Sequence, residues 1–373
     1  MFVAGLARSD TVQKTVERIA LVCIGILLLS SPALVYSVRW RMVFPASLAV
    51  FAGIFFVGGV WRVRRDLRYW LAEECEVHAS TCRKLGKYYL DVESDGQAAR
   101  DRGSVIWELD EEGIPVTEVR AQGTCHHPVA ICQRALILFN VLCESGDQAY
   151  RKSFLRSADW LCDHLTRRGS FGVWEYRFRL AYMRPPWISA MAQGEGISVL
   201  LRAFQLTGVD RYWKAAELAM GAFCHDVSGG GVTFQNGDGD VVLEEYPASP
   251  APHVLNGWIF AAWGILDFFR ATGDREAYEL YQRTMSTLKR RLPRYDAGYW
   301  SHYDDPSFGY SGPASPKYHV LHILQLEVLH ALTGECVFRE RALKWREYAS
   351  RWSGRLRYLV DYHKHSIRRK LFR

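Results

Sequence analysis

The chain has 373 residues, 49% of them hydrophobic and 13% aromatic, with a net charge of +7. That length suits one large domain or two smaller ones, and the apolar content supports a sizeable core and excludes a disordered chain. Of the 47 basic residues 37 are arginine, whose planar fork grips carboxylates, a composition that fits an acidic substrate and equally a genome rich in arginine codons.

Two uncharged runs of 20 residues stand at the N-terminus, Ile19 to Val38 and Met42 to Trp61, joined by Arg39-Trp40-Arg41. Each is long enough to cross a hydrocarbon core of ~30 Å as a helix. They predict a transmembrane hairpin (19–38, 42–61). Its outer flanks carry Arg8, Lys14 and Arg18, then Arg62, Arg64, Arg65 and Arg68, against two arginines in the loop. The positive-inside rule places the flanks, and the domain that follows, on the cytoplasmic face of a bacterial inner membrane. The rivals are a re-entrant pair and a signal peptide ending near Ser37, whose cleavage pattern is poor.

Residues 62–90 read as a charged amphipathic helix, and 91–121 as an extended arm or β-hairpin, with turn signals at Ser94-Asp95-Gly96 and Glu112-Gly113. From residue 125 helical periodicity dominates. The pattern predicts helices near 127–144, 149–168, 188–206, 209–226, 253–272, 274–292, 318–333 and 335–352, many separated by glycine-containing breaks. Tight turns alternate with long loops at 169–187, 227–252 and 293–317. The segment Val254 to Phe269 is apolar nearly all round, as a helix buried on every side must be. The fold class expected is mostly α: an (α/α) toroid or barrel of about four helical hairpins over 122–353, after a 1–62 membrane hairpin and a 63–121 arm. A basic tail follows over 354–373. In the loop 227–252, Asn236-Gly237 between apolar residues reads as a β-hairpin turn; Asp238 and Asp240 there suit a plain turn better than calcium.

The nine cysteines include no Cys-x-x-Cys pair, so neither a zinc site nor a disulfide framework is expected. No nucleotide fingerprint occurs, and no cofactor or metal is expected. Polar and aromatic groups gather at four places: Trp187-Ile188-Ser189-Ala190-Met191-Ala192-Gln193-Gly194-Glu195; Leu243-Glu244-Glu245-Tyr246-Pro247 followed by Val254-Leu255-Asn256-Gly257; Tyr295-Asp296 with Tyr303-Asp304; and Tyr318-His319-Val320-Leu321-His322-Ile323-Leu324-Gln325-Leu326. Taken alone, a buried tyrosine is usually a core residue, Glu244-Glu245 a solvated edge, and the Ser-Ala-Met-Ala-Gln-Gly run a helix-packing stretch.

These four motifs, in this order, resemble the C-terminal domain of the D-glucuronyl C5-epimerases, over roughly residues 86 to 352. The resemblance implies an (α/α) helical barrel and C5 inversion of D-glucuronate to L-iduronate in a heparosan-like polysaccharide. It implies Tyr246, Tyr303 and Tyr318 as catalytic tyrosines and Glu245 as their acidic neighbour. Tyr246 and Tyr318 would flank C5, Tyr303 would assist or relay a proton, and Glu245 would tune a tyrosine or take a proton itself. Gln193, Asn256, His319, His322 and Trp187 would position substrate or the tyrosines. Animal members carry a β-sandwich for which the short break after Glu144 leaves no room, so the chain is similar to a shorter bacterial form. The family's arginine two residues beyond Asp304 is Pro306 here; Arg177, Arg179 or Arg184 would have to replace it. The expected partners are an acidic polysaccharide and a membrane, not nucleic acid, and a homodimer is left open. A lyase or hydrolase on the same scaffold, the latter with Glu195 and Glu245 as its carboxylates, or a non-catalytic glycan-binding membrane component, are the alternatives.

Overall fold

A computed structural model of the chain describes residues 58–64, 66–67, 78–80, 82–90, 108–119, 121–180, 183–308 and 312–371. Apart from its last four residues, the expected membrane hairpin lies outside the described residues, as do residues 91–107 of the expected 91–121 arm. Eight helices form four consecutive hairpins: α1 (Pro128–Ser145) with α2 (Gln148–Asp163), α3 (Ala190–Thr207) with α4 (Asp210–Met220), α5 (Leu255–Thr272) with α6 (Arg275–Arg291), and α7 (Pro316–Thr333) with α8 (Cys336–Ser350). Local chemistry sets their ends. Gly146, Gly208, Gly273 and Gly334 close the first helix of each hairpin in left-handed geometry, which costs glycine little. In two of the turns the next residue, Asp147 or Asp274, caps the second helix through its carboxylate. Glycine and aspartate together thus stop one helix and start the next.

The first helices of the hairpins lie side by side in chain order, α3 between α1 and α5, and α5 between α3 and α7. They are buried on most sides; α5 is buried from Leu255 to Phe268. Their partners are amphipathic and cover them. The closest approach joins α3 to α5: a Cβ on Gly194 would stand 2.6 Å from Ala261 Cα, and one on Gly264 would stand 2.2 Å from Gly194 O. The Ser-Ala-Met-Ala-Gln-Gly run is small because two backbones meet there.

The long loops hold antiparallel ribbons. β1 (Val116–Val119) pairs with β2 (Gly123–His126), β3 (Thr166–Arg168) with β4 (Phe171–Val173), and β5 (Thr233–Gln235) with β6 (Val241–Leu243). The last turns at Asn236-Gly237 as expected, and Asp240 is held by Arg290 and Arg291. Thr166–Arg168 leaves the helical path because Gly169 (φ 59°) folds the chain into the β3–β4 turn, so α2 ends at Asp163.

Two stretches differ from expectation. Residues 78–80 and 82–90 are not helical. Long-range bonds to the inner helices override their periodicity: Leu85 N–H donates to Gln205 Oε1 (2.9 Å), Tyr88 N–H to Asn140 Oδ1 (2.7 Å), and Tyr89 Oη–H to Asp267 (2.7 Å). Asp267 in turn holds Arg202 (2.6 Å) and Arg270 (3.1 Å), all three buried. The basic tail is a helix, α9 (Trp352–Leu371), whose Tyr358 and Leu359 pack with Val60, Val63, Leu67, Trp300 and Val320 in a second apolar cluster. Helical residues 58–64 therefore dock on the C-terminus of the chain. Among the described residues, α1 is long and apolar enough to cross a membrane, and it is mostly buried inside the fold.

Candidate active site

Three segments distant in sequence converge at the N-terminal ends of α5 and α7. The first leaves β6 through Glu244, Glu245 and Tyr246 and returns into α5. The second carries Tyr303. The third is the first turn of α7, which presents Tyr318 and is capped by Ser315 Oγ. Main-chain bonds tie them together: Leu255 N–H donates to Tyr303 O (3.2 Å), Asp305 N–H to Pro252 O (3.1 Å), and Tyr303 N–H to Gly312 O (3.3 Å).

The side chains form one hydrogen-bonded unit. The Tyr246 hydroxyl donates to the Glu245 carboxylate, and the Tyr303 hydroxyl stands between those of Tyr246 and Tyr318 and bonds both. The rings of Tyr303 and Tyr318 meet edge to face at 4.8 Å. Burial dominates the electrostatics. It pushes the Glu245 carboxyl up to about 7, with the neighbouring Glu244 charge adding to the rise and the Tyr246 bond opposing it. Burial, and then the Glu245 charge, push all three phenols up. At neutral pH the cluster holds a carboxyl near its midpoint beside three protonated phenols.

Packing fixes Glu245. A Cβ on Gly257 would stand 2.2 Å from Glu245 Oε2 and 2.7 Å from its Cβ, so the glycine of the Val-Leu-Asn-Gly motif makes room for this carboxylate. Oε2 is buried without a protein partner, as are Asn256 Oδ1, Gln325 Oε1 and His322 Nε2. Gln325 Nε2 donates to Asn256 O (3.0 Å), joining α7 to α5 beside the phenols. Glu195, whose Oε1 accepts from Gln133 Nε2 (3.3 Å), is wholly buried, and burial holds its carboxyl well above the usual range.

The other residues expected at the site lie in its support. Gln193 donates to Gly172 O (2.9 Å) and Ala219 O (3.1 Å) and accepts from Trp174 N–H (3.1 Å), so its amide braces main chain. His319 accepts from Ser301 N–H at Nδ1 (3.1 Å) and donates from Nε2 to Trp345 O (3.0 Å), flat against Trp300 at 3.9 Å. Burial lowers its pKa to about 3, so it stays neutral with both nitrogens engaged, which does not suit a metal ligand. His322 Nδ1 pairs with Ser301 Oγ (3.0 Å). Trp187 stacks on Tyr176 at 3.8 Å, donates to Phe178 O (2.8 Å), and lies 5.9 Å from the Tyr246 ring. Arg177, Arg179 and Arg184 are exposed, Arg177 82% so, and the first two alternate with the buried Tyr176 and Phe178. Among the described residues, no arginine or lysine stands with the groups acting most strongly on Glu245 and the three tyrosines.

Sequence reasoning missed the burial of Glu244 and the part of His253, which are bonded to each other beneath the loop. Two adjacent acids read as solvated, and only the neighbouring Pro250 and Pro252 hinted at a fixed loop.

Residues 168–347, which include all four residues of the cluster, match the family model described as D-glucuronyl C5-epimerase C-terminus. An uncharacterized protein of Methanocaldococcus jannaschii is 35% identical over 183 residues, 48% of this chain and 58% of that protein. The D-glucuronyl C5-epimerase of Caenorhabditis elegans is 33% identical over 223 residues, 54% of this chain and 36% of that enzyme. The chain therefore matches between about a third and three fifths of the length of these relatives. Among solved structures, a D-mannose isomerase superimposes with a TM-score of 0.44 at 12% identity, over 79% of this chain and 74% of that one. PssZ from Listeria monocytogenes gives 0.34 at 11%, over 73% and 96%. On the family match and the identity to the nematode epimerase, residues 168–347 belong to the D-glucuronyl C5-epimerase C-terminal family.

Proposed function

We propose that this chain epimerises C5 of uronic acid residues within an acidic polysaccharide, converting D-glucuronate to L-iduronate in a heparosan-like polymer. The observation that carries the reading is the single unit formed by Glu245, Tyr246, Tyr303 and Tyr318. C5 lies next to a carboxylate and its proton is very weakly acidic. Inversion needs a base to take that proton and an acid to return one to the opposite face. A general base works best with a pKa near the operating pH. Glu245 meets that condition, whereas Tyr246 is held too far up to ionise readily. Glu245 is therefore the base, with Tyr246 hydrogen-bonded to it, and Tyr318 is the proton donor. Tyr303, bonded to both phenols, steadies the developing enediolate through their shared hydrogen bonds. The exposed Arg177, Arg179 and Arg184 form a basic rim for the polymer's other carboxylates. The arc of inner helices is read as part of an (α/α) toroid whose cleft takes the chain, and the N-terminal hairpin as a membrane anchor that holds the domain at the cytoplasmic face.

The test is incubation of heparosan-type polymer with the enzyme in deuterated water, read by NMR at C5. Deuterium at C5 and iduronate signals without shortening of the polymer support the reading. An unsaturated, ultraviolet-absorbing product of lower mass would replace it by a lyase.

A further inference from the structure

Ten residues, Glu244 to His253, carry Glu245 and Tyr246 into the cleft and back, and the two ends of this loop are bonded to each other. The wholly buried Glu244 carboxylate accepts from the His253 main-chain N–H through Oε2 (3.2 Å) and is joined to His253 Nδ1 through Oε1. Each end is anchored separately. Glu244 N–H donates to Val232 O (2.8 Å), and its carbonyl accepts from Ala190 N–H (2.9 Å) at the start of α3. The His253 carbonyl accepts from Tyr295 Oη–H (2.7 Å), its ring packs on Phe234 at 4.8 Å, and its backbone is left-handed at φ 51°. A non-glycine residue pays for that conformation unless its surroundings enforce it. Burying a carboxylate and an imidazole together is also unfavourable unless each satisfies the other. Such a pair sits one residue from the carboxylate whose protonation the reaction needs.

We propose that Glu244 and His253 are positioning residues, a buried carboxylate–imidazole latch that closes the loop bearing Glu245 and Tyr246 and sets the electrostatic surroundings of Glu245. The proposal rests on the epimerase reading of that site. The groups that face Glu245 are Glu244 on its own strand exit, Tyr246, Tyr303 and Tyr318 in the cluster, Tyr176 from the preceding loop and Glu195 from α3. Of these, Glu244 directs its carboxylate to His253 rather than to a phenol of the cluster. The Glu244 charge raises the Glu245 carboxyl, so its removal must lower it.

Three variants separate position from charge. His253→Asn keeps a donor near Nδ1 and tolerates left-handed backbone; His253→Gly tolerates the backbone but has no donor. Folded His253→Asn enzyme is expected within about threefold of wild type in C5 exchange, and His253→Gly about tenfold lower in kcat with KM little changed. Glu244→Gln is expected to move the acidic limb of the pH–rate profile down by about one unit. Equal activity of the Asn and Gly variants, or a Glu244→Gln profile in the wild-type position, would overturn the proposal. A fourth measurement needs no substrate: infrared titration of the protonated-carboxyl band lost in Glu245→Gln, compared between wild type and Glu244→Gln. A shifted midpoint supports the latch even if the polymer assay fails, and an unshifted one overturns it while leaving the epimerase reading untouched.

Discussion

The ring of Tyr303 stands edge-on to the ring of Tyr318, centroids 4.8 Å apart, and brings the hydroxyl from a loop against the hydroxyl from a helix N-terminus. This T-shaped contact fixes both phenols without either needing a charged partner. Tyr318→Phe keeps the ring contact and removes the proposed proton donor. Solvent deuterium incorporation at C5 is expected to fall by about 10²–10⁴-fold. Tyr303→Phe removes the hydrogen bonds to Tyr246 and Tyr318 but no proposed donor or base, and about tenfold is expected. Melting curves that overlay wild type would show that the losses are chemical.

Glu245 ties activity and stability to pH in opposite senses. Exchange is expected to rise as pH increases through about 7, where the carboxyl ionises in the folded enzyme. Its ordinary value is 4.5, so the unfolded chain gives up this proton first, and between 4.5 and about 7 the folded state binds more protons than the unfolded one. Stability falls as pH rises across that window, by about 3 kcal/mol if Glu245 acts alone. Glu245→Gln should abolish exchange and flatten that slope, leaving the variant more stable than wild type at pH 8. Melting the protein at pH 5, 6, 7 and 8 checks both signs.

Gly257→Ala places a methyl 2.2 Å from Glu245 Oε2, with Glu245 Cβ and Cδ also inside 3 Å. The carboxylate must move. About 1–3 kcal/mol of overpacking is expected, together with loss of exchange out of proportion to the loss of fold. Activity within a few fold of wild type would show that the carboxylate position is not critical.

Asp267→Asn tests the correction over residues 82–90. It leaves the buried Arg202 and Arg270 guanidinium groups without their shared anion and weakens the bond from Tyr89. A cost of about 3–5 kcal/mol is expected, with early proteolytic cleavage near Lys84 and Lys87. Unchanged melting would show that the segment docks through its rings alone.

Helices α1 to α8 were legible because their punctuation is local: glycine-containing breaks and a uniformly apolar α5 are properties of neighbouring residues. The β5–β6 turn was legible for the same reason. The segment 78–90 was not, because its bonds reach Asn140, Gln205 and Asp267, and periodicity reports nothing about partners that far away. The α9 helix left a trace in the spacing of Leu356, Tyr358, Leu359 and Tyr362, which its abundant basic residues obscured. Motif resemblance named the three tyrosines and Glu245, which the fold brings together. It did not separate cleft from scaffold, since Gln193 and His319 brace main chain. Buried Glu244 stayed hidden because nothing in two adjacent glutamates tells which one faces a histidine nine positions on.

The backbone contact between Gly194 and Gly264 has a mechanical consequence. Where side chains separate two helices, the gap can flex as rotamers change. Here main chain rests on main chain, so the helix bearing Glu195 and the helix that begins beside Glu245 have almost no freedom to slide or part. If the proposed polymer is the substrate, the motion that admits it must come from the surrounding loops, over a floor that stays still.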